Sequence, residues 1–436
     1  MKKVSKKANF PKTHRNILFL LIDDLRADRC WGAGRTVKTP TIDLLCRSGT
    51  VFTQAISVTS TTTPNIASIF TGNYPFTHGI RSLTSYKLDS GVKTLAEILR
   101  ENGYNTYAEV TGPLIPETGL NRGFNEYRLR DVDHDVYSQW GDDLAKRFKN
   151  KEFEEPWFVF IHFWEMHYPR RIPDEIKSNV HFFRSVDRKM YDMALTCLDD
   201  YLKKLLESID EDAIIIFHSD HGEKIAETFV QKYSLGFKNL LWQLKGLLGL
   251  KGEYEILPTV GHGFHIKEYM IRVPLVFVGK RIFPENKTIS DQVSQVDIFP
   301  TIVDALELKI DSRITTDGRS MMPLIKNERM PEIPVFCEAC GHHLGDRKRW
   351  FVGIRTPRYK FIYSPYNDEK PEELYDLKDD PAEKRNIVGE RKEIAQELRE
   401  IFEAAYTKAE KERTEHEYSP EEKKKIKERL RKLGYI

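Results

Sequence analysis

Three stretches of the chain carry residue types that bind a divalent cation and activate a hydroxyl. Asn16-Ile-Leu-Phe-Leu-Leu-Ile-Asp23-Asp24 is a short apolar run ending in paired carboxylates. Ala213-Ile-Ile-Ile-Phe-His218-Ser-Asp220-His221 repeats that design. Between them, Ser57-Val-Thr-Ser-Thr-Thr-Thr-Pro64 is a run of small hydroxyl residues ahead of Ile66, Ile69 and Phe70 at helical spacing. Clustered acids repel one another unless a cation sits among them. A hydroxyl held at a helix N-terminus beside such a cation is an activated nucleophile, and the free N–H groups of the first turn favour an anion.

The elements that position these residues follow from the same patterns. The two apolar runs read as buried parallel strands with their acids at the C-terminal edge, where open α/β sheets bind ligands. Pro64 suits the first turn of the helix that follows the hydroxyl run. Pro156 to His167 reads as a third buried strand with polar groups at its end, and Met190 to Ile209 as a long amphipathic helix. Thr39-Pro40 opens a helix with Thr39 as cap and Ile42, Leu44 and Leu45 inward. This alternation predicts an α/β fold: a mostly parallel central sheet with helices on both faces. After Pro331 the short runs Val335–Glu338, Trp350–Ile354 and Lys360–Tyr363 predict a small C-terminal antiparallel sheet. The expected organisation is a basic arm over 1–14, a catalytic domain over 15–330, the small subdomain over 331–390 and a charged helical tail over 391–436.

At this point the chain resembles a known family. Asp23-Asp24, Thr62-Thr63-Pro64 leading to Thr71-Gly72-Asn73-Tyr74-Pro75 and His78-Gly79, Asp220-His221-Gly222, Arg272-Val273-Pro274 and Glu373-Leu-Tyr375-Asp376 are similar, in order, to the motifs of sulfatases, within the alkaline phosphatase superfamily. The resemblance places Thr62 at the nucleophile and His167 at a histidine that contacts the substrate ester. It puts further site residues near Arg272, where His262 or His265 could bind a second metal or protonate the leaving oxygen. Two departures stand out. Sulfatases oxidise a Cys or Ser to formylglycine and follow it with an Arg, whereas Thr62 can give only a ketone and Ile66 stands at the arginine. A family Gly-Lys-x-His motif is replaced by Val110-Thr111-Gly112-Pro113. Phosphodiesterases and phosphotransferases of the superfamily use an unmodified Thr.

The expected function is therefore a metal-dependent ester hydrolase or transferase acting through Thr62 on a phosphodiester or phosphonate ester. The alternatives are a sulfuric-ester hydrolase without formylglycine and a non-catalytic binding protein on the same scaffold. The expected catalytic residues are Thr62, His167 and His265. The expected ligands of one or two divalent ions are Asp23, Asp24, Thr62, Asp220 and His221, with Mn, Zn, Ca and Mg all compatible with this donor set.

Composition bounds the partners. The net charge of +2 over 436 residues indicates no nucleic-acid partner, and no apolar run has the length of a membrane span. The expected substrate is a small-molecule or lipid-like ester. The Leu-rich stretch Leu235 to Leu250 reads either as a lid or greasy surface over the site or as helices packed on the core. Five Cys point to free thiols and a cytoplasmic location. Cys337-x-x-Cys340-x-His342-His343 has zinc-ligand residue types without a usual zinc-site spacing. The charged tail, with its basic end from Lys423 to Lys432, reads as a solvated helix or a contact with a second copy in a homo-oligomer, with binding to an anionic membrane as the sharper alternative.

Overall fold

A computed structural model describes residues 15–32, 35–83, 86–177, 187–226, 262–341, 347–412 and 417–433. Among these, eight strands form the main sheet: β1 (Ile17–Ile22), β2 (Gly49–Ile56), β3 (Asn105–Val110), β4 (Glu126–Leu129), β5 (Trp157–Phe163), β6 (Ile214–Ser219), β7 (Arg272–Val278) and β8 (Lys287–Ser294). Their order is β4-β3-β5-β1-β6-β7-β2-β8. All neighbours pair in parallel except β7, which runs antiparallel to both β6 and β2.

Side-chain alternation along β1 explains why both faces of the sheet are covered. Ile17, Phe19 and Leu21 join the core that holds Ile66, Ile69 and Phe70, on the helix Thr62–Thr71. Leu18, Leu20 and Ile22 join the other core, with Leu195, Leu198 and Leu202 of the helix Asp187–Leu206. Every residue of β1 and β5 is buried, as a central parallel strand between two helical layers requires.

A second sheet, wholly antiparallel and ordered β12-β11-β10-β9, follows: β9 (Val335–Ala339), β10 (Phe351–Arg355), β11 (Tyr359–Tyr363) and β12 (Glu373–Asp376). Ala395, Leu398 and Phe402 of the helix Lys392–Glu412 pack against it. It abuts the hydroxyl loop directly, since Glu338 N–H donates to Val58 O at 2.9 Å. A buried ion pair locks this junction: Arg81 Nε donates to Glu338 Oε2 at 3.0 Å while its guanidinium lies 4.4 Å from the Trp350 ring centroid.

Several local expectations change. The helix at the hydroxyl run starts at Thr62 rather than Pro64, because Pro is tolerated anywhere in a first turn and does not mark its first residue. Thr39 makes no capping bond to the helix Pro40–Arg47; its hydroxyl accepts from Arg35 Nη2 at 2.7 Å. Leu44 points outward, 54 % exposed, while Asp199 holds the amides of Thr41 and Ile42. Glu373–Asp376 supplies a fourth strand to the small sheet. The tail comprises two helices, Lys392–Glu412 and Pro420–Lys432, and the second buries Ile426 and Leu430 against its own chain. The basic arm, the Leu-rich stretch and His342 and His343 lie outside the described residues. Among the described residues no helix is long and apolar enough to cross a membrane.

Candidate active site

The sheet brings the three chemical stretches to one edge. Asp23 and Asp24 leave the end of β1, and Asp220 and His221 leave the end of β6 beside it. Thr62 opens its helix over the same edge, with Thr61 extended before it. Asn65, one turn on, donates to Asp220 O at 2.8 Å and to Gln295 Oε1 at 2.6 Å, so the helix is pinned to the end of β6. Gln295 in turn donates to Ser219 O at 2.9 Å. Gly222 allows a close crossing, because a Cβ there would lie 2.2 Å from Tyr269 O.

Thr62 Oγ1 donates to Asp23 Oδ2 at 3.2 Å and lies 3.3 Å from His221 Nε2. Asp24 adopts φ +59°, a left-handed conformation that costs a non-glycine residue free energy and aims its carboxylate into the cluster. Its amide donates to Asp220 Oδ1 at 3.2 Å, and Tyr191 Oη–H donates to its carbonyl at 2.8 Å. The side chains of Asp23, Asp24, Asp220 and His221 are inaccessible to solvent.

The donor set fits a cation. Asp23 Oδ1, Asp24 Oδ2 and Asp220 Oδ2 are buried and receive no hydrogen bond. The His221 tautomer is assigned from its partners: Nδ1 lies 3.1 Å from Gly222 O, which can only accept, so Nδ1 carries the proton. The Nε2 lone pair then faces Asp220 Oδ2 at 3.3 Å, two electron-rich atoms opposed without a proton. A cation among them relieves that repulsion. Three sets of ligand atoms lie within 4.8 Å of one another: Asp23, Asp220 and His221; Asp24, His221 and His262; and Asp23, Asp24 and His167. The charges agree with this. Burial, then Asp220, pushes the Asp23 carboxyl well above the usual carboxylate range, and burial, then Glu223, does the same to Asp24.

Two histidines stand over the cluster. His262 Nδ1 donates to Ser60 O at 3.2 Å, leaving its Nε2 lone pair directed at His167 Nε2, 3.2 Å away. His167 therefore carries the proton between them. His265 is not part of this group: its Nε2 lies 3.3 Å from Tyr269 Oη, and burial with Lys224 and Lys267 holds it down to about 4. Around the cluster, Arg170 donates to Glu223 and, at 2.6 Å, to Asp187. Burial pushes Glu223 up to about 7 against the pull of Arg170.

Sequence reasoning passed over His162. It sits in register with Leu21 on β1 and places Nε2 3.2 Å from Asp23 Oδ2. Its position inside an aromatic strand reads as core, and burial does hold it at about 4, so it is neutral. Arg170, Glu223, Asn65 and Gln295 were also missed; among these only Glu223, three residues after Asp220, carried a signal in its spacing.

Comparison with known proteins places this architecture. The profile of the Sulfatase family matches residues 15–308. This chain belongs to the sulfatase family. The C-terminal family of N-sulphoglucosamine sulphohydrolase matches residues 261–408. An ulvan-active sulfatase of Formosa agariphila is 24% identical over 433 residues, covering 86% of this chain and 78% of that protein. Among solved structures, Ps i-CgsB in complex with k-i-k-neocarrahexaose superposes with a TM-score of 0.69 at 20% identity, covering 96% of this chain and 97% of that one. The phosphonate monoester hydrolase of Agrobacterium radiobacter gives 0.68 at 18% identity, covering 91% and 96%. The sulfatase resemblance and the α/β architecture with a separate small antiparallel sheet both hold. Sulfatase-family enzymes are divalent-metal-dependent hydrolases, and the chain is an enzyme of this sulfatase-like kind.

Proposed function

We propose that the chain is a metal-dependent ester hydrolase that acts through Thr62 on a phosphodiester or phosphonate ester. The observation that carries this reading is the placement of an unmodified hydroxyl, Thr62 Oγ1, against both Asp23 and His221 at the first turn of a buried helix. Asp23, Asp24, Asp220 and His221, with Thr62, would hold the cation. A bound divalent cation, whether Mn, Zn, Ca or Mg, lowers the pKa of a neighbouring hydroxyl and neutralises charge on the transferring group.

The chain's own groups do the rest. Asp23 Oδ2 orients Thr62 Oγ and accepts its proton. Thr62 Oγ attacks phosphorus, the Oγ–P bond forms, and the bond to the leaving oxygen breaks. His167, which holds the proton it shares with His262, delivers it to that oxygen. Water or an acceptor alcohol then attacks the phospho-threonine and gives its proton to His167, the Oγ–P bond breaks, and Thr62 Oγ takes back the proton held by Asp23. The N–H groups of the first helical turn take charge from the non-bridging oxygens. Ile66, Thr111 and Pro113 stand where the family carries an Arg, a Lys and a His, and this less positive pocket favours a singly charged diester or phosphonate ester over a monoester.

The family match supports a second reading, sulfuric-ester hydrolysis by the same residues. Turnover of bis-p-nitrophenyl phosphate and p-nitrophenyl sulfate by metal-reconstituted protein separates the two. Diester cleavage lost in Thr62→Ala is the expected result, and preferential sulfate cleavage overturns the substrate class. Absence of turnover of either ester by metal-loaded protein would leave transfer to a specific acceptor alcohol. The cytoplasmic location we propose rests on five cysteines, all unpaired.

A further inference from the structure

The helix Pro420–Lys432 lies beyond both family matches, which end at residues 308 and 408. Its anchor is apolar: Ile426 and Leu430 are buried with Leu83, Ile115 and Tyr418. Its one deep polar contact is Arg429. Nε donates to Gly112 O at 2.8 Å and Nη2 to Arg130 O at 3.1 Å, the carbonyls just past the ends of β3 and β4. Gly112 adopts φ +67°, and a Cβ on it would lie 2.4 Å from Cζ3 of Trp164. The indole therefore rests on the bare Cα of Gly112. Trp164 stacks on His167, with ring centroids 3.9 Å apart and planes 17° apart. His167 reaches His262 at 3.2 Å.

We propose that Arg429 is a positioning residue: by holding the Gly112 carbonyl it sets the indole of Trp164, and Trp164 sets His167 for proton delivery. The C-terminal helix is thus a working part of the site. The role assigned to His167 rests on the reading above. The path to it rests on packing alone. Arg429 supplies two donors that no other residue type duplicates at that reach. Without them two carbonyls lose a partner and the turn over Trp164 relaxes.

The test is a double-mutant cycle on the metal-loaded full chain, with bis-p-nitrophenyl phosphate as substrate. Arg429→Ala lowers kcat about tenfold with KM little changed, as displacement of a catalytic group does. The same substitution in a His167→Ala background costs less than about twofold further, because the two act through one step. Arg429→Lys recovers part of the loss, and Lys432→Ala, whose ion pair with Asp131 is at the surface, has no effect. Full additivity of Arg429→Ala with His167→Ala overturns the proposal.

A second arm needs no activity. In protein labelled with 5-fluorotryptophan, the Trp164 resonance, assigned with Trp164→Phe, moves in Arg429→Ala as it does in His167→Ala, and stays put in Lys432→Ala. An unmoved resonance in Arg429→Ala overturns the proposal. If Arg429→Ala unfolds, Gly112→Ala makes the same test by pushing the indole from below: the same shift supports the path and an unmoved resonance overturns it. If the wild type hydrolyses neither ester, the functional reading fails and the resonance arm alone decides the path.

Discussion

Asp24→Asn should change stability in opposite directions with and without metal. In the metal-free protein Asp24 is a buried carboxylate flanked by Glu223, Asp23 and Asp220, with neither Oδ1 nor Oδ2 receiving a hydrogen bond. The amide removes that charge while its oxygen can keep the place of Oδ1, 3.0 Å from His221 Nδ1. Relief of one poorly satisfied buried group is worth about 1–3 kcal/mol. With metal the sign reverses. A ligand present at 100 to 1,000 times its Kd stabilises the fold by about 2.7–4.1 kcal/mol, and the variant forfeits most of this. For a chain of 436 residues the unfolding entropy is about 0.9 kcal/mol/K. Those terms become a rise of about 1–3 °C in EDTA and, because that gain offsets part of the forfeited metal stabilisation, a net loss of up to about 3 °C in saturating metal.

The assay is calorimetry or dye-monitored melting of both proteins in EDTA and in each of Mn, Zn, Ca and Mg. The pH dependence supplies a second sign. The raised Asp24 pKa means the native state holds more protons than the unfolded state above the ordinary value of 3.8. Metal-free wild type therefore loses stability as pH rises through that window, and Asp24→Asn flattens the slope. A variant that melts below wild type in EDTA, or that keeps the full metal-dependent rise, would refute the placement of Asp24 in a cation site.

Other consequences follow from single contacts. Thr62→Ser should retain measurable turnover and Thr62→Val should lose it by at least about 10³-fold in kcat while still binding metal, checked by steady-state kinetics and metal titration. His218 is buried neutral, down to about 3, with Nδ1–H donated to Pro274 O at 2.6 Å and Nε2 facing Gln295 Nε2 at 2.9 Å. The unfolded state thus takes up a proton below about pH 6.5 that the native state refuses, so stability falls on acidification by about 1.4 kcal/mol per pH unit, and denaturant melts of His218→Gln should show a slope shallower by that amount. Glu338→Gln leaves Arg81 buried beside a neutral amide and should cost about 3–5 kcal/mol in urea unfolding. Phe70→Ala opens a hole beside Phe160 and Phe124, with ring centroids 4.8 Å and 5.7 Å away, and should cost about 3–5 kcal/mol without removing metal affinity.

The parts of the site legible in the sequence were those that local pattern encodes. A run such as Ile17–Ile22, apolar at every position, can only be a strand covered on both faces, so the acids that end it had to lie at the sheet edge. The same logic placed Asp220 and His221. What pattern cannot encode is pairing across the sheet. His162 looks like any core residue of β5 until its register with β1 sets it beside Asp23. The reversed direction of β7 leaves no mark on a buried apolar run. Arg170, Glu223 and Asp187 meet only in three dimensions. Of the histidines before Arg272, His262 rather than His265 faces the cluster, a choice made by the turn through Gly263 at φ +91° and not by spacing. The basic tail read as a solvated surface because its two apolar residues, Ile426 and Leu430, are too few to show a face without their partners Leu83 and Ile115.

The most direct measurement is peptide mapping after rapid acid quench of metal-loaded protein with a phosphodiester substrate. The account predicts phosphate on the peptide that contains Thr62, formed within the first turnover and absent from Thr62→Ala and from metal-free protein. Turnover that persists in Thr62→Ala, or turnover whose trapped group sits on another residue, would contradict it.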